Sequence, residues 1–146
     1  MFEYLDQDLK NYMDMTGRGP SNPLPKPVVQ DFMYQLCLGC AHLHRHGVMH
    51  RDLKSPNVLL HGEHGVKIAD FGLAAQARDA EAGGRTEVMG TPAYMSPEQA
   101  RGQSLSPASD VFSFGIILYQ LACGRHPFDG GTSWEMAAKI LSEAKG

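Results

Sequence analysis

The thirteen residues from Val111 to Cys123 constrain the fold of this 146-residue chain more than any other segment. Apolar side chains fall on every face if the segment is helical, which predicts a helix enclosed by protein on all sides. Ser113, Gly115 and Gln120 interrupt it, and it falls short of the ~20 residues that cross a bilayer. An enclosed helix needs a domain around it. The chain is long enough for one such domain, with about two-thirds of its unfolded surface buried. Apolar residues make up 42% and charged residues 20%, which excludes disorder and collagen-like order. Thirteen Lys and Arg against sixteen Asp and Glu leave a net charge of −3. That balance carries no footprint for nucleic acid or for an acidic membrane surface. Three cysteines are too few, and odd in number, for a disulfide framework. Met1-Phe2-Glu3-Tyr4 shows no basic region followed by an apolar run, so the expectation is an intracellular protein, cytoplasmic or nuclear.

Around that segment the chain divides by periodicity. Asp8 to Met15 predicts a short helix with Leu9, Tyr12 and Met13 on one face. Thr16 to Pro27 holds two Gly and four Pro and predicts a loop. From Pro27, the residues Val28, Phe32, Leu36, Cys40 and Leu43 recur at helical intervals. Pro27 suits the first turn of this helix, and Gly47 the position past its end. Val58-Leu59-Leu60 and Val66-Lys67-Ile68 read as strands, with His61 to Gly65 as a hairpin turn. Leu73 to Met95 shows little periodicity and predicts a long mobile loop. Thr132-x-x-Glu135 is a capping-box pattern that opens a last helix through Trp134, Ala137, Ala138 and Leu141.

Between the long helix and the hairpin stands His50-Arg51-Asp52-Leu53-Lys54-Ser55-Pro56-Asn57. Thirteen residues beyond Asn57 comes Asp70-Phe71-Gly72, and further on Ser96-Pro97-Glu98. One such triplet alone is weak, but the ordered set with these gaps is specific. It resembles the protein-kinase signature: an H-R-D loop with a downstream Asn, then D-F-G, then A-P-E. The resemblance implies an α+β, mainly α fold, that of the large (C-terminal) lobe of a kinase. It also implies transfer of the ATP γ-phosphate to a protein hydroxyl. Such transfer needs positioning and charge neutralisation more than covalent help. By the likeness, Asn57 and Asp70 are hard oxygen ligands suited to Mg²⁺ on the ATP phosphates. Asp52 orients the incoming hydroxyl, and Lys54 meets the transferred phosphate as a point charge. A Lys at this position is typical of Ser/Thr kinases, so the acceptor is serine or threonine. His50 takes a structural role.

The likeness extends over nearly the whole chain. Phe2-Glu3-Tyr4-Leu5-Asp6-Gln7-Asp8-Leu9-Lys10 is similar to the hinge of cyclin-dependent kinases. That implies adenine bonded to the backbone of Glu3 and Leu5, ribose near Asp8, and Leu59 as the apolar floor under the base. Thr86, twelve residues before Glu98, sits where those kinases carry an activating phosphothreonine, which implies an upstream activating kinase. A phosphate there would pair with Arg51 through charge-assisted hydrogen bonds. Thr91 matches the threonine that braces the catalytic Asp and Lys. Glu98 and Asp110 resemble structural anchors, Asp110 gripping the catalytic-loop backbone from the buried helix.

The second half departs from that subfamily. Thr91-Pro92-Ala93-Tyr94-Met95-Ser96-Pro97-Glu98-Gln99-Ala100, with Asp110 to Gly115, is similar to tyrosine-kinase-like or bacterial-type Ser/Thr kinases. Met95 replaces an arginine, which weighs against proline-directed substrates and against cyclin as a partner. Nothing in the chain matches the Gly-rich loop, the strand lysine or its glutamate partner. Residues 1–146 are therefore expected to be a partial kinase domain without the small lobe: hinge, catalytic loop, activation segment and helices to about the αG region. Glu98 is expected to lack its usual arginine, a costly arrangement if it is buried. Such a fragment is expected to bind ATP·Mg²⁺ weakly and to transfer little phosphate, and the partners the resemblance implies are protein substrates. The alternative is a non-catalytic lobe that acts as a protein-binding scaffold. Cys37-Leu38-Gly39-Cys40, followed by His42, His44, His46 and His50, invites a zinc site. The ligand pairs lack the usual separation, however, and Cys40 lies on the apolar helical stripe, so a core role is expected. A redox role lacks the preceding strand.

Overall fold

Residues 7–16, 18–62, 65–76, 90–128 and 130–143 are described by a computed structural model of the protein. Glu3, Leu5 and Thr86 lie outside these residues. Asp8 closes the two-residue strand β1 (Gln7–Asp8) and caps helix α1 (Leu9–Met15), its Oδ1 accepting from the Asn11 N–H at 2.8 Å. That bond satisfies one of the N–H groups every helix start leaves unpaired. Leu9, fully buried, seats α1 in the core.

Pro25 and Pro27 then flank the start of the twenty-residue helix α2 (Lys26–Arg45), which begins one residue earlier than its apolar pattern does. Proline has the right φ for a first turn and lacks only an N–H that would go unused there. Val29, Phe32, Met33 and Leu36 form the buried face. Gly47, at φ 71°, turns the chain away after Arg45.

Strand β2 (Val48–Met49) leads into the loop of residues 50–57, and the hairpin β3 (Val58–His61) and β4 (Gly65–Ile68) follows. Val58 pairs with Ile68 and Leu60 with Val66, while Asp8 of β1 pairs with Leu59 on the other edge. Strand order is β1-β3-β4. Alternation along β3 sends Val58 and Leu60 into the core, so Leu59 shares the opposite sheet face with its partners Asp8 and Lys67.

The segment read as a loop after Leu73 is in part regular. Strand β5 (Ala75–Gln76) pairs antiparallel with β2, and a 3₁₀ turn spans Pro92–Tyr94. A two-residue pairing leaves no period in a sequence to detect. Residues 77–89 lie outside the described residues.

Three helices complete the fold: α3 (Pro97–Ala100), α4 (Pro107–Cys123) and α5 (Ser133–Glu143). The α5 start forms its capping box, with Glu135 N donating to Thr132 Oγ1 and Thr132 N to Glu135 Oε2, both at 3.2 Å. Its inward residues are Ala137 and Ile140, while Trp134 and Ala138 face outward.

The enclosed helix expected at Val111–Cys123 is corrected by the structure. Val111 is 60% exposed and Leu118 41% exposed. Only one stripe of α4 is buried: Ser109, Asp110, Ser113, Ile116, Ile117 and Leu121. Hydrogen bonding, rather than apolar content, selects that stripe. Ser109 Oγ donates to Glu98 Oε1 at 2.6 Å, and Ser113 Oγ to the Tyr94 carbonyl at 2.7 Å. Buried hydroxyls need such partners, and the helix is rotated to supply them.

Leu9, Phe32, Leu36, Leu53, Val58, Ile117 and Leu121 make one core joining α1, α2, the 50–57 loop, β3 and α4. Each fully buried aliphatic side chain there contributes about 1.5–3 kcal/mol. This packing fixes the 50–57 loop between two long helices and a hairpin.

Candidate active site

Residues 50–57 are held chiefly by buried Asp110 of α4. Asp110 Oδ2 accepts from His50 N and from His44 Nε2, and Oδ1 from Arg51 N, each at 2.8 Å. A carboxylate only 2% exposed is tolerated there because these three donors surround it. Arg51 adopts φ 70°, a left-handed conformation that costs a non-glycine residue roughly 1–2 kcal/mol. Its N–H is bound to Asp110, and its carbonyl accepts from Gln99 Nε2 at 2.6 Å. The packing therefore over-determines a strained backbone.

His50 is fully buried. Its Nε2 lies 2.9 Å from the Ala69 carbonyl, which can only accept, so the ring proton sits on Nε2. Nδ1 is left to accept from Asp52 N at 3.3 Å. The same ring stands 5.0 Å from the ring of Phe71, which is 46% exposed.

Beyond this strained turn, four of the sequence-selected residues meet. Asp52 Oδ2 accepts from Lys54 Nζ at 2.8 Å, and Oδ1 from Thr91 N at 3.0 Å. Lys54 Nζ also donates to Thr91 Oγ1 at 2.7 Å. Asn57 Nδ2 donates to the Asp52 carbonyl at 2.9 Å and reaches Oδ2 at 3.4 Å. Asp52, at 9% exposure, and Asn57, at 6%, are fixed by the protein itself.

Asp70 is placed next to this cluster by the hairpin register. Ala69 N donates to the Asn57 carbonyl at 2.9 Å, continuing the Val58–Ile68 pairing by one residue. Asp70 follows at φ 62°, exposed, and caps the Phe71–Leu73 turn with Oδ1, 3.4 Å from Gly72 N.

Glu98, Asp8 and Leu59 are placed as follows. Glu98 takes a hydroxyl, Ser109 Oγ, as its short-range partner. Burial pushes its carboxyl up. The bonds from Ser109, its own backbone and Ser96, with the Arg101 charge, outweigh that and hold it below the usual 4.5. Asp8 has one oxygen engaged in capping α1, and it faces Leu59 across the sheet edge. The structure thus unites Asp52, Lys54, Asn57 and Thr91, sets Asp70 beside them, and leaves Asp8 and Leu59 together on β1 and β3.

Sequence reasoning missed several residues of this region. Gln99 is 5% exposed beneath Arg51. Tyr94 OH donates to Gln120 Oε1 at 2.8 Å and so accepts from Ser55 Oγ at 2.9 Å, linking the loop to α4. His44 braces Asp110. The one available signal, at Gln99, was a polar residue in a turn opened by Ser96 as N-cap and Pro97, and it is the turn's buried residue. Among the described residues, no group of three or more His, Cys, Asp or Glu is arranged to hold a metal. Cys37 is exposed, and burial, with the charges of Asp110 and Cys37, pushes the Cys40 thiol up to about 12.

A helix-rich α+β domain built around a loop of this kind has the protein-kinase architecture. The family model described as protein kinase domain matches residues 1–145, and the chain belongs to that family. It is 41% identical over 144 residues to "Cell division control protein 2 homolog C" of Antirrhinum majus, covering 97% of this chain and 47% of that protein. It is 40% identical over 121 residues to "Serine/threonine-protein kinases drp72" of Corynebacterium efficiens, covering 83% of this chain and 23% of the relative. With "Serine/threonine-protein kinase PrkC" of Bacillus subtilis it shares 35% identity over 142 residues, 97% of this chain and 21% of the relative. Both halves of the mixed resemblance thus have a counterpart, one in a plant and one in bacteria. The chain spans about a fifth to a half of the length of these relatives.

Proposed function

We propose that the chain is the large-lobe portion of a protein Ser/Thr kinase, transferring the γ-phosphoryl group of ATP to serine or threonine hydroxyls of a protein substrate. One observation carries this reading. Lys54 Nζ bridges the Asp52 carboxylate and the Thr91 hydroxyl, tying the 50–57 loop to the segment that leads into α3. Asp52 accepts the hydrogen bond, and then the proton, of an incoming hydroxyl, so that its oxygen is aimed for in-line attack. Thr91 keeps Lys54 from collapsing fully onto Asp52, and the ammonium is left to meet charge that develops on the moving group.

The donor set fits Mg²⁺ with ATP. Asn57 has its nitrogen committed to Asp52, so its amide oxygen is the atom left to meet a cation, and Asp70 offers an exposed carboxylate. Hard oxygens of this kind would hold the cation. When bound, ATP·Mg²⁺ supplies the phosphoryl group and neutralises its charge. Leu59 and Asp8, on one sheet face, serve the base and the ribose, and the backbone of Glu3 and Leu5 binds adenine. Glu98 and Asp110 act as structural anchors. A phosphate placed on Thr86 by an upstream kinase pairs with Arg51, whose buried Nε has no hydrogen-bond partner among the described residues. Three free thiols are in keeping with an intracellular location.

A second reading, a non-catalytic lobe that binds proteins, draws on the exposed side chains of Phe71, Val111 and Leu118. Phosphate transfer to a generic Ser/Thr peptide by the chain joined to a protein-kinase small lobe distinguishes the two. Transfer that needs Mg²⁺, and that Asp70→Asn lowers by roughly a hundredfold or more, is expected for the kinase. No transfer by the unsubstituted protein supports the scaffold. A mutant keeping most of its rate removes Asp70 from the metal site.

A further inference from the structure

Arg51 and Asp70 are the only non-glycine residues with positive φ among the described residues. The peptide that joins Arg51 to Asp52 is therefore not held by ordinary backbone preference, and something must keep it in place. Asp110 holds the N–H side of Arg51 from α4. Gln99 holds the carbonyl side from α3, at 2.6 Å, the shortest side-chain bond to the loop. These two grips are themselves tied together. Glu98 and Ser109, each the neighbour of a gripping residue, are bonded at 2.6 Å. Gln99 is in turn fixed by Ser96, whose Oγ accepts from its N–H at 3.3 Å.

The next residue along is Asp52, so the orientation of the Arg51 carbonyl fixes the plane from which the Asp52 side chain departs. The segment entering from the other side meets the same point. A Cβ on Gly90 would lie 3.2 Å from Gln99 Nε2, 3.3 Å from the Arg51 carbonyl oxygen and 3.6 Å from Asp52 Oδ1. Thr91, its neighbour, donates to Asp52 Oδ1. Gly90, Gln99 and the Arg51–Asp52 peptide thus close on one another.

We propose that Gln99 is a positioning residue for phosphate transfer, clamping the Arg51 carbonyl so that the Asp52 carboxylate keeps its aim. The proposal rests on the kinase reading above. A bystander that only satisfies a buried carbonyl would influence stability; a positioning residue influences turnover at constant substrate affinity. Gln99→Met keeps the shape and removes the donor. Gln99→Glu also keeps the shape and donates only when its carboxyl is protonated.

Steady-state kinetics of the chain joined to a protein-kinase small lobe, with ATP·Mg²⁺ and a Ser/Thr peptide, read the difference. In Gln99→Met, kcat is expected to fall roughly tenfold to a hundredfold. The KM values for ATP and peptide stay within about twofold. At neutral pH the Gln99→Glu carboxylate cannot donate, and kcat is expected to fall as in Gln99→Met. If either variant fails to fold, Gln99→Asn, which keeps the amide but shortens its reach to the carbonyl, is expected to give the same loss in kcat. The proposal is overturned if the folded variants keep kcat within about twofold, or if KM rises while kcat holds. Absence of transfer by the unsubstituted protein overturns the kinase reading, and this proposal with it.

Discussion

His126 holds the segment that follows Thr91. Its Nε2 lies 2.9 Å from the Ala93 carbonyl, and Nδ1 is 3.0 Å from the Phe128 carbonyl and accepts from Phe128 N at 3.2 Å. Burial lowers its basicity, and the Phe128 and Ala93 carbonyls, which favour the proton, do not fully offset that. A depressed histidine stabilises the fold in its neutral form. Its contribution is complete above the ordinary 6.5 and is lost as the pH falls through the lower folded value. Glu98, also held below its ordinary value, loses its contribution in a second window, below 4.5. Urea unfolding is thus expected to show stability falling first just below pH 6.5 and again below pH 4.5. His126→Leu should remove the first step and leave the second. A first step that persists unchanged in that variant would place its origin in another group. His126 lies outside the H-R-D, D-F-G and A-P-E positions where sequence carried meaning, whereas Glu98 is one of them. That Asp52, Lys54 and Asn57 meet was legible because the H-R-D resemblance places all three in one short loop. His126 and Gln99 were not, because a hydrogen bond to a distant backbone carbonyl imposes no pattern on its own neighbourhood in sequence.

At the scale of elements, α2 and the β3–β4 hairpin were readable from periodicity because one face of each meets a single core. The strands β1, β2 and β5, two residues each, were not. α4 was the instructive failure. Its apolar residues suggested burial all round, yet two serines and an aspartate took the inward stripe because the site needed their oxygens. Periodicity weighs greasiness and is blind to which polar groups a neighbouring loop must satisfy. The two accounts of α4 differ in a measurable way. Val111→Glu, at an exposed position, should change stability by less than about 1 kcal/mol. Ile117→Ala, at 0% exposure, should cost about 2–5 kcal/mol. Denaturant midpoints of the two variants measure this, and a Val111→Glu cost near that of Ile117→Ala would restore the enclosed helix.

For the molecule as a whole, the question is how much of a nucleotide site these residues make. In the proposed site Asp52, Lys54, Asn57 and Asp70 supply one wall, the loop held by Asp110 of α4 and Asp70 brought in by the hairpin register. Phe71, 46% exposed, sets its ring against that of His50. Beside it opens a groove of about 330 Å³ lined by Leu36, Gly39, Val66, Ile68 and others. Positioning a triphosphate for in-line transfer takes contacts from both sides, since misplacement of about 1 Å can cost a hundredfold in rate. One wall can order the acceptor and the cation without ordering the γ-phosphate between them. The polypeptide of residues 1–146, purified by itself, is therefore expected to bind ATP·Mg²⁺ weakly and to transfer phosphate at least about a hundredfold more slowly than the same residues joined to a protein-kinase small lobe. Calorimetry for binding and label transfer to a Ser/Thr peptide for turnover measure the two separately. Weak binding with negligible transfer is the expected pair. Vigorous turnover by 1–146 alone would mean that the groups on this wall suffice to align the phosphate, and the two-walled account of catalysis in this protein would fall.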